Sequence, residues 1–188
     1  NMRDLGLAPF SNRSQISLDA IRQRTSPESS QTFEGGVRYR GEGFRGSAAL
    51  YHVQFADRLL GIAQGAGIIG NPSIISNVGG VTNQGIELTG EMDFTDDLSL
   101  FVSYSYNDST YDDNVVNALG AIVQATAGAT VVNTPSQLLK ADLTFDNDTF
   151  FATLSASYTG ERESTYTNVG GQIDGHTAID LTGGYRFG

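Results

Sequence analysis

Between Gly85 and Tyr106 the chain alternates with a period of two on both sides of a short polar break at Thr95-Asp96-Asp97. Ile86, Leu88, Gly90, Met92 and Phe94 share one parity, with Gly85, Glu87, Thr89, Glu91 and Asp93 on the other. After the break, Leu98, Leu100, Val102, Tyr104 and Tyr106 oppose Ser99, Phe101, Ser103, Ser105 and Asn107. A helix cannot separate such residues onto two faces, whereas a strand does so at every step. The stretch therefore predicts an antiparallel hairpin with one apolar and one polar face.

The pattern recurs along the chain. A first strand is expected over about Gln31 to Arg40, with Phe33, Gly35, Val37 and Tyr39 on the apolar parity, closed by Gly41-Glu42-Gly43. A second runs from Phe44 to about Leu60, but its phase shifts from Phe44, Gly46, Ala48 and Leu50 to Tyr51, Val53 and Phe55. A β-bulge near Ala48-Ala49 would reconcile the two phases. Leu139, Ala141, Leu143 and Phe145 form a further strand, joined through Asp146-Asn147-Asp148 to one carrying Phe150, Ala152, Leu154, Ala156 and Tyr158. The last strand sets Thr177, Ile179, Leu181, Gly183, Tyr185 and Phe187 against Ala178, Asp180, Thr182, Gly184 and Arg186.

Seven strands are thus expected, their connections alternating short and long. The long ones span about 61–81, 107–135 and 160–175, beyond the usual length in compact domains. Leu98 to Tyr106 rises about 3.3 Å per residue, roughly 30 Å in all, and when tilted by about 40° covers the ~25 Å apolar band of an outer-membrane barrel. Tyr39, Phe44, Phe94, Phe145, Phe150, Tyr185 and Phe187 fall near the short turns, and Phe33, Phe55, Tyr104, Tyr106 and Tyr158 near the long loops. Two aromatic belts bracketing an aliphatic band suit two membrane interfaces. A soluble sandwich would alternate too, but does not require this loop asymmetry. The fold class expected is all-β: a segment of an antiparallel, up-and-down transmembrane β-barrel with long extracellular loops and short periplasmic turns.

Composition agrees. The chain has 188 residues, no Cys, and a formal charge of −10 with only 11 Lys and Arg, which argues against a nucleic-acid partner. No run of about 20 apolar residues is present to make a transmembrane helix, but a barrel strand shows lipid only every second side chain. Asn1-Met2-Arg3-Asp4 lacks the basic start and apolar core of a signal peptide. Seven strands cannot close a barrel, and open edges in hydrocarbon leave backbone groups unpaired. The expectation is a piece cut at both ends: an extracellular loop segment over 1–30, with a turn or two of helix near Ser17 to Arg24, then a partial barrel over 31–188.

Pro27-Glu28-Ser29 is followed by Thr32-Phe33-Glu34-Gly35-Gly36-Val37-Arg38-Tyr39, a run similar to the entry into a barrel strand of TonB-dependent outer-membrane receptors. The likeness continues through Ala49 to Phe55, Asn77-Val78-Gly79 with Gln84-Gly85-Ile86-Glu87, Leu100 to Tyr106, Asn133-Thr134-Pro135 and Ser157 to Gly160. The resemblance implies a barrel of about 22 strands with a plugged lumen. It also implies a location in the bacterial outer membrane and a TonB complex engaged through a plug outside this segment. The activity implied is energised import of a small molecule: a ferric siderophore, cobalamin or an oligosaccharide. A passive porin-like channel is the alternative, and a surface adhesin or soluble β-domain the third reading.

No catalytic constellation, cofactor site or metal site is expected, and no ligand-binding residue is assigned. His52 has no nucleophile nearby in sequence and His176 follows Asp174, so both read as lumen or rim histidines. Asp108, Asp112 and Asp113 lack the spacing of a calcium loop. Glu34 and Glu87 are expected on the lumen side, where either can pair with a base such as Arg38. The apolar loop stretch Ala118 to Val132 is the one candidate for folding over the mouth or touching a ligand, against simple self-packing.

Overall fold

The computed structural model describes residues 27–63, 73–77, 79–116 and 122–187. The helical turn expected near Ser17 to Arg24 lies outside them. The strands are β1 (Ser29–Gly41), β2 (Phe44–Ala56), β3 (Leu59–Ala63), β4 (Ser73–Asn77), β5 (Val81–Asp93), β6 (Leu98–Tyr111) and β7 (Val115–Val116). They continue with β8 (Ile122–Gln124), β9 (Gln137–Asp146), β10 (Phe150–Thr159), β11 (Arg162–Glu163), β12 (Gln172–Ile173) and β13 (His176–Tyr185). The long strands form one seven-stranded antiparallel sheet in the order β1-β2-β5-β6-β9-β10-β13, and each remaining pair is a two-stranded hairpin inside a long loop. No helix occurs among the described residues.

Register sorts the side chains. Phe44, Met92, Leu100, Leu143, Leu154 and Leu181 stand side by side across six strands. Behind the neighbouring backbone positions runs Arg45, Glu91, Phe101, Asp142, Ser155 and Asp180. Leu100, Leu143 and Leu154 therefore meet within one sheet rather than across two layers. Leu154 is 45% exposed and Leu181 76%. A soluble domain would cover such a face with a second layer, and among the described residues none does.

The sheet is sheared as a barrel wall must be. Following the register from Phe44 through Met92, Leu100 and Leu143 leads to Leu154, four residues beyond Phe150, which closes the ladder at the other end with Tyr185. Four residues are about 13 Å, and the four strand spacings from β2 to β10 about 19 Å, so the strands tilt by roughly 35°, within the range for closed barrels. On β10, Leu154 lies midway between the belt residues Phe150 and Tyr158. Their separation of about 26 Å along the strand gives an apolar height of roughly 20–23 Å.

Strand β2 corrects the sequence reading. Its register with β1 runs from Ser29↔Ala56 to Gly41↔Phe44 without a shift, so there is no bulge at Ala48-Ala49. The strand also stops at Ala56, where Asp57 turns the chain at φ 56°, rather than continuing to Leu60. Tyr51, Val53 and Phe55 are apolar residues on the polar face, and Phe55 consequently leaves the outer aromatic belt. It stands in the row Ser30, Phe55, Val81, Tyr111 at the long-loop end. There the inner face is no longer a wetted wall but the floor of a small core. Val81, Tyr111, Val115 and Val131 are the buried hydrophobics among the described residues, with Phe55, Ala129 and Tyr166 packed against them.

Glycine makes the tight crossings. A Cβ on Gly85 would collide with the Tyr106 carbonyl and lie 2.5 Å from the Tyr51 hydroxyl, because the Tyr51 ring lies across Gly85 to reach Asn107 on β6. Phe151 covers Gly184 in the same way, and Arg186 stacks over the Phe151 ring with its guanidinium carbon 4.9 Å from the centroid. An aromatic side chain laid on a strand glycine restores the packing that the missing side chain forfeits.

Candidate functional site

Two surfaces can meet a ligand: the cap at the long-loop end and the polar wall below it. The cap is built from the described parts of three loops: residues 57–63, 73–77 and 79–80 of the first, 112–116 and 122–136 of the second, and 160–175 of the third. At its base the Arg58 amide donates to the Gly79 carbonyl (3.0 Å), and the Asp112 amide to the Gly80 carbonyl (2.9 Å). Asp113 Oδ2 accepts from the Gly80 amide at 2.8 Å, which joins the first loop to the second. Thr126, fully buried, accepts from the Val115 amide and donates to the Asp113 carbonyl at 2.7 Å. The third loop is pinned by Asn168, whose Oδ1 accepts from the Thr130 amide (2.6 Å) while its Nδ2 donates to the Thr130 carbonyl (3.1 Å). The Asn133 amide also donates to the Glu163 carbonyl at 2.8 Å. A side-chain amide that mimics a strand partner in this way satisfies both backbone groups of a loop residue that would otherwise lose water unpaired.

Beneath these bonds Tyr111 is 1% exposed, with the Val132 backbone beside its hydroxyl. Burial pushes its phenol above the ordinary value of 10.0. This group lies above the spanning part of the sheet, among loop residues.

The candidates from sequence separate on the structure. Within the apolar stretch from Ala118 to Val132, residues 118–121 lie outside the description. Thr126 to Val131 folds down onto Tyr111 and Val115, so this half packs on its own loop, whereas Ile122 is 60% exposed. Asp108 accepts from Gln84 (3.1 Å) and Asp112 from Thr82 (3.0 Å) at the outer rim. His52 stands on the outer face between Phe33 and Gln84, and His176 on the inner face opposite Thr159. Among the described residues no three His, Cys, Asp or Glu side chains are grouped to hold a metal ion.

The polar wall carries hydroxyls and a few charges. Ser47 and Thr89 bridge at 2.6 Å, Thr144 and Thr153 at 3.3 Å. The expected pairing of Glu34 or Glu87 with Arg38 does not form. The ion pair here is Arg45–Glu91 at 2.5 Å, because those two residues are direct cross-strand partners. Lys140 and Asp142 pair at 2.9 Å along β9.

At the short-turn end, beyond the aromatic belt of Phe145, Phe150 and Tyr185, Arg186 donates both terminal nitrogens to the Asp146 carboxylate at 2.6 and 2.7 Å. That contact, helped by the Asp148 amide, holds the Asp146 carboxyl down at about 2.

A single apolar-faced sheet, sheared strands and alternating short and long connections define a segment of transmembrane β-barrel. The family model "TonB dependent receptor-like, beta-barrel" matches residues 10–188, and the chain belongs to that family. Solved structures agree in fold. The ferric yersiniabactin uptake receptor FyuA from Yersinia pestis is 18% identical, with a TM-score of 0.64 over 84% of this chain and 22% of that one. The siderophore receptor PiuA from Acinetobacter baumannii is 21% identical, with a TM-score of 0.66 over 86% of this chain and 23% of that one. The copper transporter OprC is 16% identical, with a TM-score of 0.67 over 89% and 24%. The chain spans about a quarter of the length of these proteins. A search of curated proteins by sequence found no match.

Proposed function

We propose that this chain forms part of the barrel wall of an outer-membrane receptor that imports a scarce small molecule, a metal chelate first among the candidates. The cap would meet the ligand outside the cell, and a domain elsewhere in the polypeptide would fill the lumen and couple to TonB. The observation that carries this reading is the pair of faces on one sheet. Six apolar residues in a row turn outward, while hydroxyls and carboxylates line the other side. That distribution suits acyl chains outside and a wet interior. Receptors of similar fold named for ferric yersiniabactin, a siderophore and copper put metal acquisition ahead of cobalamin and oligosaccharides. The reading is one of transport, not catalysis.

The test is growth of a strain lacking the full-length gene on a panel of ferric and cupric chelates, cobalamin and oligosaccharides, with and without a functional TonB. Loss of growth on one nutrient, reproduced by loss of TonB, supports active import. Uptake that survives loss of TonB supports a passive channel.

A further inference from the structure

Above Tyr106 the partner of β6 changes. β9 pairs with β6 only as far as Tyr106↔Gln137, while β5 holds the other edge up to Tyr111. The returning leg of the second loop takes the place that β9 leaves. The Tyr111 amide donates to the Ala129 carbonyl and the Val131 amide to the Ser109 carbonyl, both at 2.9 Å, about a bridge between Thr110 and Thr130. The Asn168 carboxamide stands next in line, bonded to both backbone groups of Thr130. The ladder of the wall thus continues above the spanning part of the sheet, from β6 through Thr130 to the third loop.

The same leg reaches the first loop through Thr126. The Ala129 amide donates to the Thr126 carbonyl at 2.8 Å. The Thr126 hydroxyl donates to the Asp113 carbonyl at 2.7 Å and accepts from the Val115 amide at 3.2 Å, and the Asp113 carboxylate holds the Gly80 amide. Thr126 is fully buried, so neither of its backbone partners has water to fall back on. Gly79, at φ 86°, leaves the room this contact needs, because a Cβ there would lie 2.5 Å from that of Asp113.

We propose that the three loops open and close as one unit, with Thr126 and Thr130 as the links that couple the third loop to the first. Each bond in the series is buried or completes a ladder, so releasing one end leaves a polar group unpaired at the next. Such coupling is reciprocal: what the first loop gains from an intact third loop, the third gains from an intact first. A ligand that touches one loop then biases all three. That consequence rests on reading the cap as the surface that meets the ligand, whereas the coupling itself does not.

The experiment is hydrogen exchange followed by mass spectrometry on the full-length receptor in lipid vesicles, with heat-modifiable migration confirming a folded barrel. Asn168→Ala cuts the third loop from Thr130. Exchange is expected to rise by at least about tenfold in fragments holding Thr130 and by at least about threefold in those holding Gly80. Asp113→Ala, which releases the Gly80 amide, is expected to speed exchange at Thr130 in return. Thr126→Val keeps the shape of the link without its hydroxyl, and in that background Asn168→Ala no longer changes exchange at Gly80; in Thr126→Ser the response persists. The Asp113→Ala/Asn168→Ala double variant, set against the two singles, gives the coupling with Thr126 untouched, and its effects are expected to fall short of additive. Exchange that rises only in the loop whose bond was cut, additive effects in the double variant, or a Gly80 response to Asn168→Ala that survives Thr126→Val overturns the proposal. Growth on the nutrient panel tests the transport reading separately.

Discussion

Leu154→Arg is the substitution that most sharply separates the outer face from the inner one. Leu154 is flanked in register by Leu143 and Leu181, and lies four residues from each belt residue of its strand, so its side chain sits at mid-height in the apolar band. An arginine at the midplane of the lipid face costs about 2–4 kcal/mol, decreasing toward the interfaces. That corresponds to a loss of roughly 30- to 900-fold in the folding constant. Ser155, the next residue, points to the polar wall opposite Asp142 and Asp180. An arginine there gains two carboxylate neighbours, and Ser155→Arg is expected to change stability by under about 1 kcal/mol. The assay is equilibrium unfolding of the full-length receptor in lipid vesicles, the folded fraction read from heat-modifiable migration. A Ser155→Arg penalty equal to or larger than that of Leu154→Arg refutes the assignment of faces.

Three further outcomes follow from particular contacts. Gly85→Ala drives a methyl group into the Tyr106 carbonyl and the Tyr51 ring, and is expected to cost about 1–3 kcal/mol; combining it with Tyr51→Ala recovers part of the loss in a double-mutant cycle. Asn168→Ala leaves both backbone groups of Thr130 without their partner, a loss of about 1–3 kcal/mol confined to the cap, seen as faster hydrogen exchange at Thr130 with the sheet amides unchanged. Asp146 titrates at about 2, below its ordinary 3.8, so the Arg186 clasp is fully formed above about pH 4 and is lost as the pH falls through 2. In Arg186→Gln its carboxyl returns toward the ordinary value, which carbon-detected NMR of a labelled sample checks.

The sheet was legible because burial in a membrane wall repeats every two residues, and that signal survives in any strand whose outer face touches only lipid. It failed on β2, where Tyr51, Val53 and Phe55 broke the alternation for a reason no local window contains. Tyr51 lies across Gly85 on β5 to reach Asn107 on β6, and Phe55 packs against a core supplied by Val115 and Val131, more than fifty residues away. The pairing of Arg45 with Glu91 instead of Arg38 with Glu34 or Glu87 was hidden likewise, since register between strands decides it and a sequence shows only parity. The Asn168 clasp on Thr130 joins residues 38 apart through an asparagine in a left-handed conformation, φ 55°, which nothing in the composition of that loop distinguishes.

The assignment of faces admits one direct measurement. The chain has no cysteine, so single cysteines placed from Ala152 to Tyr158 in the full-length receptor can each carry a nitroxide, with any cysteine elsewhere in that protein removed. The account predicts that labels at 152, 154 and 156 collide with oxygen dissolved in the lipid, while those at 153, 155 and 157 collide with a water-soluble nickel chelate or are shielded from both. Labels at 152, 154 and 156 shielded from oxygen as well would place a second protein layer over the leucine row and contradict it.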